Sequence, residues 1–138
     1  FCAGSFSAGE HNDCVAMAKQ FADRTHFVHL RSCYIFPNGN FTEASHLGGR
    51  GHLIELCRIF EKAEQEGKCN SGRRLPMRVD HGMTFTDEPG GVFDESNHGH
   101  NAGYTLLGRM FAMGQIQGVI ATVDDELGIE YKQPGFYD

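Results

Sequence analysis

Apolar residues recur at helical spacing in three segments of the chain. The first segment, residues 12–23, has Asn12 as its expected cap and an apolar face built from every third or fourth residue. The second begins at Leu53 and ends near Gly67, and Lys and Glu fill its opposite face. The third begins near residue 106. The pattern therefore predicts three helices, each with one side turned towards a core.

Short apolar runs between and after these helices are typical of buried strands. Residues 25–30 and 75–79 form two such runs, and residues 119–123 predict a third strand. Residues 37–40 belong to a long, turn-rich loop. Residues 84–102 are rich in Gly, Asp, Asn and His and are long for a connection, which predicts a functional loop or lid.

Strands that alternate with helices predict a parallel sheet with crossover helices, so the fold class is α/β. A length of 138 residues fits a single domain. A complete (β/α)8 barrel needs about 250 residues. The chain is therefore either a small open sheet or about half of a barrel.

Composition and charge narrow the set of partners. The chain has 18 acidic and 12 basic residues and a formal net charge of −6, so nucleic acid is not an expected partner. It has no run of about 18 apolar residues, so no membrane span is expected. Its five cysteines are odd in number and irregularly spaced, which does not fit a complete disulfide framework and favours a reducing cytoplasm.

Candidate chemistry is concentrated where the predicted strands end. His29 and Arg31 share one face of the first strand because side chains alternate along a strand. Arg78 and Asp80 point the same way at the second strand, and His81 follows where the strand gives way to a loop. Sites in parallel α/β folds are built at the carboxyl ends of the strands. We therefore expect these side chains at one edge of the sheet.

Thiol, imidazole and carboxylate groups together suit a divalent transition metal. Local motifs do not decide the matter, because neither a CxxC nor a HExxH spacing is present. His29 is alternatively a hydrogen-bonded core histidine and Cys2 a small buried apolar residue. The pair His98 and His100 is more typical of a solvated loop than of a metal site.

Two further groups also have alternative interpretations. Glu43 and His46 either reach into a site from the loop after the first strand or cap the next helix. Tyr104 is either a phenolic acid or base, or a packing residue at the start of a helix.

Five sequence blocks, in this order, closely resemble the C-terminal part of mannonate dehydratases. They cover the chain from Phe1 to about Val123. The blocks are residues 1–5 (FCAGS), 26–32 (HFVHLRS), 41–47 (FTEASHL) and 76–82 (PMRVDHG), and Gly103-Tyr104 with Gly108-Arg109.

The resemblance implies that residues 1–138 form a single partial TIM-barrel domain, the C-terminal portion of a (β/α)8 barrel. It implies a lyase that removes water from D-mannonate to give 2-dehydro-3-deoxy-D-gluconate. The reaction would use Fe²⁺ or Mn²⁺ and serve hexuronate breakdown in the cytoplasm, and the parent enzyme would be a homo-oligomer. The implied roles are Cys2, His29 and Asp80 as metal ligands, His81 and Tyr104 as the proton-transfer pair with acid and base unassigned, and Arg31 and His46 as substrate-binding residues.

Two features depart from the family pattern. Met83 stands where many members have a second histidine, and the loop at residues 84–102 is long, which predicts a modified lid. The family's first metal-binding histidine falls upstream of Phe1, so we expect little or no activity from the isolated chain. The alternatives are an inactive barrel fragment or metal-binding module, and a divalent-metal sugar isomerase on a similar barrel.

Overall fold

The computed structural model describes residues 1–85 and 103–131. The described part is a mixture of helices and parallel strands, which confirms the predicted α/β class. Its helices are α1 (Ala3–Ser7), α2 (Cys14–Phe21), α3 (Leu53–Gln65) and α4 (Leu106–Leu127), and its strands are β1 (Val28–His29), β2 (Cys33–Ile35), β3 (Phe41–Glu43) and β4 (Met77–Arg78).

Strand β1 lies at the centre of three parallel segments. On one side it pairs with β4, with Val28 opposite Met77. On the other side Cys2 forms a parallel bridge with His29, and the His29 N–H donates to the Phe1 carbonyl at 2.8 Å. The carboxyl ends of all three segments therefore meet at one edge, as the strand and helix order predicts.

Helices α2 and α3 cover the buried side of these strands. The cap of α2 is Asp13 rather than the predicted Asn12, since the Asp13 carboxylate accepts from the N–H groups of residues 15 and 16 at 3.0 and 2.9 Å. In α3, which crosses over from β1 to β4, Leu56 and Phe60 lie four residues apart on one face and are fully buried. Together with Val28 they form the centre of the core.

The predicted strand at residues 119–123 is wrong, because these residues lie within α4. Their β-branched side chains favour a strand locally, but burial follows the helical period. The buried stripe of α4 recurs every three or four residues, at Gly108, Ala112, Ile116, Val119 and Val123. The apolar residues used to predict the start of this helix face the other way, since Leu106 and Met110 are exposed.

The predicted long loop after β1 contains a β-hairpin. Strands β2 and β3 pair antiparallel, with Cys33 opposite Glu43. The turn between them is closed by the Phe36 N–H, which donates to the Asn40 carbonyl at 2.7 Å, and Gly39 supplies the positive φ of 84°. The hairpin brings Glu43 back to the residues that follow β1.

Among residues 1–85 and 103–131, α4 alone has the length and apolar composition of a membrane span, with a mean hydropathy of 1.2. Core helices of water-soluble proteins meet the same criteria, so one such helix is weak evidence. Helix α4 also packs on α3, where Arg58 donates to both oxygens of Glu126 at 2.8 and 3.0 Å. The absence of a membrane partner stays a prediction.

Candidate metal centre and active site

Cys2, His29 and Asp80 converge at the carboxyl edge of the three parallel segments. One ligand atom from each, the thiol sulfur, an imidazole nitrogen and a carboxylate oxygen, lies within 4.8 Å of the other two. Within the cluster, His29 Nδ1 lies 3.4 Å from Asp80 Oδ2. This is the convergence that the strand order predicts, and the three donors are of the types that hold a divalent transition metal.

Cys2 is fixed by the first turn of α1. Its sulfur accepts hydrogen bonds from the backbone N–H of Ser5 at 3.4 Å and from the Ser5 hydroxyl at 3.1 Å. These contacts, and the backbone bridge to β1, hold the sulfur on the side of the sheet edge where His29 lies. The position of Cys2 therefore depends on its own short helix as well as on the sheet.

His29 is held in the protonation state that a metal ligand needs. Burial lowers the pKa of its imidazole; the Asp80 carboxylate opposes the shift, while the positive charges of Arg78 and the chain's amino group add to it. The net effect favours neutral imidazole near neutral pH. A neutral ring keeps a lone pair for a metal, whereas imidazolium does not.

Asp80 presents its two carboxylate oxygens to different neighbours. Oδ1 accepts from Arg78 Nη2 at 2.5 Å and from the Tyr104 hydroxyl at 2.7 Å, and Oδ2 faces His29. Burial alone would raise the pKa of Asp80, but the other contacts, of which the hydrogen bonds from Tyr104 and Arg78 are the largest, outweigh it and lower the pKa. Outer partners thus orient an ionised carboxylate towards the cluster.

The backbone at Asp80 is left-handed, with φ of 58°. Asp adopts this conformation more readily than most residues with a side chain. The turn ends the strand sharply and directs the next residue, His81, to the same edge.

His81 and Tyr104 meet beside the cluster. Their ring centroids are 4.4 Å apart in an edge-on arrangement. Gly103 makes this possible, because a Cβ at that residue would lie 2.8 Å from the Cβ of His81, and its φ of 87° suits glycine. The hydrogen bond to Asp80, with burial adding to it, raises the pKa of Tyr104, so its hydroxyl keeps its proton at neutral pH.

Arg31 and His46 are placed differently from the other predicted site residues. Arg31 lies at the edge, but both oxygens of Glu43 accept from its guanidinium, at 2.8 and 2.5 Å. His46 is buried in the core, with Nε2 at 2.9 Å from the Val79 carbonyl, and burial lowers the pKa of its ring. This contact joins the loop after β3 to the end of β4. The geometry gives His46 the position of a structural residue.

Arg78 is a functional candidate that the sequence pattern placed at the edge without a role. Its side chain is 44% exposed, and it donates to both Asp80 and the Tyr104 hydroxyl, the latter at 2.8 Å. Glu43, which the sequence left open between a site residue and a helix cap, is a second candidate, because the hairpin brings its Oε1 to 3.2 Å from His81 Nδ1. The Asn-Gly pair within residues 37–40 (PNGN), directly after the apolar residues 33–36, is the signal that indicates such a hairpin.

The remaining predictions concern the region around the loop after Met83. Met83 itself is partly buried, and its carbonyl lies against Gly108 in the first turn of α4. His98 and His100 and residues 86–102 of the predicted lid lie outside the described residues.

The fold and this edge define a class: an α/β protein with a thiol, imidazole and carboxylate cluster at the ends of parallel strands and a histidine and a tyrosine beside it. The model of the D-mannonate dehydratase (UxuA) family matches residues 1–129. The chain therefore belongs to the D-mannonate dehydratase family.

Curated relatives agree with this assignment. The chain is 38% identical over 128 residues to mannonate dehydratase 2 of Agrobacterium fabrum, a match that covers 91% of this chain and 30% of the relative. It is 36% identical over 125 residues to the mannonate dehydratase of Saccharophagus degradans, covering 89% of this chain and 30% of the relative. The chain thus spans about 30% of the length of these relatives.

A solved structure shows the same fold. The crystal structure of mannonate dehydratase from Streptococcus suis serotype 2 superposes with a TM-score of 0.68 at 19% sequence identity. The match covers 99% of this chain and 36% of that chain. At this identity the likeness concerns the fold.

Proposed function

We propose that this chain contributes the catalytic edge of an enzyme that dehydrates D-mannonate to 2-dehydro-3-deoxy-D-gluconate. The observation that carries the proposal is the convergence of Cys2, His29 and Asp80 within 4.8 Å, with His81 and Tyr104 directly beside them. Family membership supports the substrate, and the three parallel segments with an α-helical crossover support a place in the C-terminal portion of a TIM barrel.

The donor set fits a divalent metal, with Fe²⁺ or Mn²⁺ as the proposed ion. Cys2 would supply a thiolate, His29 a neutral imidazole and Asp80 an ionised carboxylate, and the pKa shifts of the last two favour those forms. When bound, the metal supplies Lewis-acid stabilisation of the negative charge that develops on the sugar acid.

The reaction requires two proton transfers. A base removes the proton from the carbon next to the carboxylate, and an acid protonates the hydroxyl that leaves from the neighbouring carbon as water; the resulting enol then becomes the ketone. We assign the acid to Tyr104, because its raised pKa keeps the phenol protonated, and the base to His81. Arg78 donates to the Tyr104 hydroxyl and would stabilise the phenolate that forms.

An anionic substrate also needs a cationic partner. Arg78 is the guanidinium at the edge whose exposure allows contact with a ligand, whereas the Arg31 fork is occupied by Glu43. We therefore propose Arg78 as the group that attracts the sugar-acid carboxylate. Binding by Arg31 would require that it leave Glu43.

The proposal also covers the cellular compartment, the metabolic role and the assembly of the enzyme. All five cysteines are free thiols, which suits a reducing cytoplasm. Membership of the family supports a role in hexuronate breakdown. Homo-oligomeric assembly stays a prediction.

The test is made on the full gene product, loaded with Mn²⁺ and incubated with D-mannonate while 2-dehydro-3-deoxy-D-gluconate is followed by chromatography. The expected result is metal-dependent product formation whose rate His81→Ala and Tyr104→Phe strongly reduce without loss of bound Mn²⁺. Absence of product from a fully metal-loaded protein would overturn the proposal. Conversion of an aldose to a ketose by that protein would favour a sugar isomerase instead.

A further inference from the structure

A carboxylate lies behind His81, on the side of its Nδ1 atom. Glu43 Oε1 is 3.2 Å from His81 Nδ1, and the Glu43 side chain is only 9% exposed. The same oxygen accepts from Arg31 Nη2 at 2.5 Å, and Oε2 accepts from Arg31 Nε at 2.8 Å. Arg31 is therefore hydrogen-bonded to Glu43, and the same Glu43 carboxylate lies within 3.2 Å of the proposed base, His81.

The pair with Arg31 fixes the direction of the contact with His81. A carboxylate that accepts from both arms of a guanidinium has only acceptor positions to offer. At 3.2 Å from this carboxylate, Nδ1 of the imidazole is therefore the atom we infer to carry the hydrogen. A neutral ring with its proton on Nδ1 has its lone pair on Nε2, so the contact selects one of the two tautomers.

The fold holds Glu43 in this place from two directions. The hairpin register sets Glu43 opposite Cys33, two residues after Arg31. The aliphatic part of Arg31 lies directly against Gly4, where a Cβ would collide with it. Arg31 is thus confined between α1 and the hairpin, and it confines Glu43 in turn.

We propose that Glu43 is a positioning residue that fixes the tautomer and orientation of His81, so that Nε2 is the atom that receives the substrate proton. The inference rests on the proposed function for the role of His81. When the proton moves from the substrate carbon to Nε2, the ring becomes an imidazolium whose charge faces the Glu43 carboxylate. Carboxylate partners of this kind orient functional histidines and stabilise their charged form.

The first test measures the tautomer and needs no turnover. The full gene product, with its histidines labelled with ¹⁵N, is compared with Glu43→Gln and Glu43→Ala by long-range ¹H–¹⁵N correlation, and His81→Ala identifies the signals. The wild type should show the proton of His81 on Nδ1. Glu43→Gln, which keeps an oxygen acceptor of the same size, should retain most of this tautomer, and Glu43→Ala should lose it.

The second test measures rates. The kcat for D-mannonate should fall about 10–100-fold in Glu43→Ala, the range typical of outer partners of functional histidines, and less in Glu43→Gln. The KM and the bound Mn²⁺ should stay near the wild-type values. Glu55→Ala, the same change at an exposed helical site, is the matched control and should leave kcat unchanged.

The two tests separate the proposal from the proposed function. A change of tautomer in Glu43→Ala, in a protein that does not dehydrate D-mannonate, would support the positioning role and overturn the function. Normal turnover and an unchanged Nδ1–H tautomer in Glu43→Ala would overturn the positioning role. If Glu43→Ala does not fold, Glu43→Gln decides alone: loss of the Nδ1–H tautomer together with a wild-type kcat, or a kcat equal to that of the wild type with the tautomer retained, would contradict the positioning role of the carboxylate.

Discussion

Glu61 is a carboxyl group that destabilises the folded chain when it is ionised. It lies on α3 and lines a cavity of about 340 Å³ between α3 and α4, together with Glu64, Arg74 and Asp124. Burial, and then the negative charges of Asp124 and Glu64, raise the pKa of Glu61 from 4.5 to about 7. The charge of Asp124 repels Glu61 more than that of Glu64 does, and Asp124 Oδ1 is buried without a hydrogen-bond partner among the described residues. The substitution Glu61→Gln tests whether the ionised Glu61 carboxylate destabilises the folded chain.

The size of the effect follows from linkage between protonation and folding. The folded state binds the Glu61 proton more tightly than the unfolded state, so the free energy of unfolding falls as the pH rises from about 4.5 to about 7. At about 1.36 kcal/mol per pKa unit, a shift of 7 − 4.5 = 2.5 corresponds to about 3.4 kcal/mol at most. Since part of the carboxyl group remains open to solvent, we expect about 2–3 kcal/mol. Glu61→Gln removes this cost above pH 7 and changes little at pH 4.5.

The assay is urea unfolding at pH 4.5, 6 and 8, followed by circular dichroism. Glu61→Gln should be more stable than the wild type at pH 8 and nearly equal to it at pH 4.5. Glu66→Gln is the control, because Glu66 is an exposed carboxylate at the end of the same helix, paired with Lys68 at 2.8 Å, and it should bring no gain at pH 8. Equal stability of Glu61→Gln and the wild type at pH 8 would refute the reasoning.

Three further predictions concern the sheet edge. Gly4→Ala should lower the free energy of unfolding by about 1–3 kcal/mol, because the added methyl group displaces Arg31, and an unchanged urea midpoint would contradict the packing. Cys2→Ser should weaken Zn²⁺ binding more than Mn²⁺ binding, since thiolate favours softer ions, and isothermal titration calorimetry would show equal losses if the sulfur is not a ligand. Tyr104→Phe should lower kcat by about 10²–10⁴-fold with metal retained. Tyr104 also helps to lower the pKa of Asp80 in the folded state, so Tyr104→Phe should raise that pKa. The ionised Asp80 stabilises the fold at neutral pH, and on acidification this stability should be lost at a higher pH in Tyr104→Phe than in the wild type. Unfolding measured over a series of acidic pH values tests this.

The strand-end residues were accessible to sequence reasoning because two simple periods locate them. Alternation along β1 puts His29 on the face opposite buried Val28, and the order of strands and helices makes β1 and β4 parallel neighbours. Asp80 then follows β4 at the edge where His29 ends. These inferences depend on local patterns and on the fact that the carboxyl ends of parallel strands lie at the same edge of a sheet.

Other parts of the fold required information that local patterns lack. Residues 119–123 favour a strand by side-chain type, and only the continuation of the buried stripe from Ala112 places them in a helix. His46 lies in a sequence block that resembles a site, yet it reaches the core because the loop after β3 folds back over Val79. Such outcomes depend on which surfaces meet in three dimensions.

Glu43 shows the same limit at the level of a single contact. The sequence leaves Glu43 either reaching into a site or capping the next helix, because its partners, Arg31 and His81, are 12 and 38 residues away in sequence. Residues 37–40 were predicted only as part of a turn-rich loop, and neither the hairpin nor the register that sets Glu43 opposite Cys33 was predicted. The role of Glu43 therefore comes from the structure.

The most direct test of the account is Mn²⁺ binding by the purified protein and by Asp80→Asn. The substitution keeps the size of the side chain and tolerates the φ of 58° at this residue, but it replaces a carboxylate ligand with an amide. Titration followed by electron paramagnetic resonance of free Mn²⁺ should show one tight site in the wild type. Asp80→Asn should bind at least about 100-fold more weakly, or about 2.8 kcal/mol. Unchanged tight binding by Asp80→Asn would contradict the assignment of Cys2, His29 and Asp80 as the metal centre.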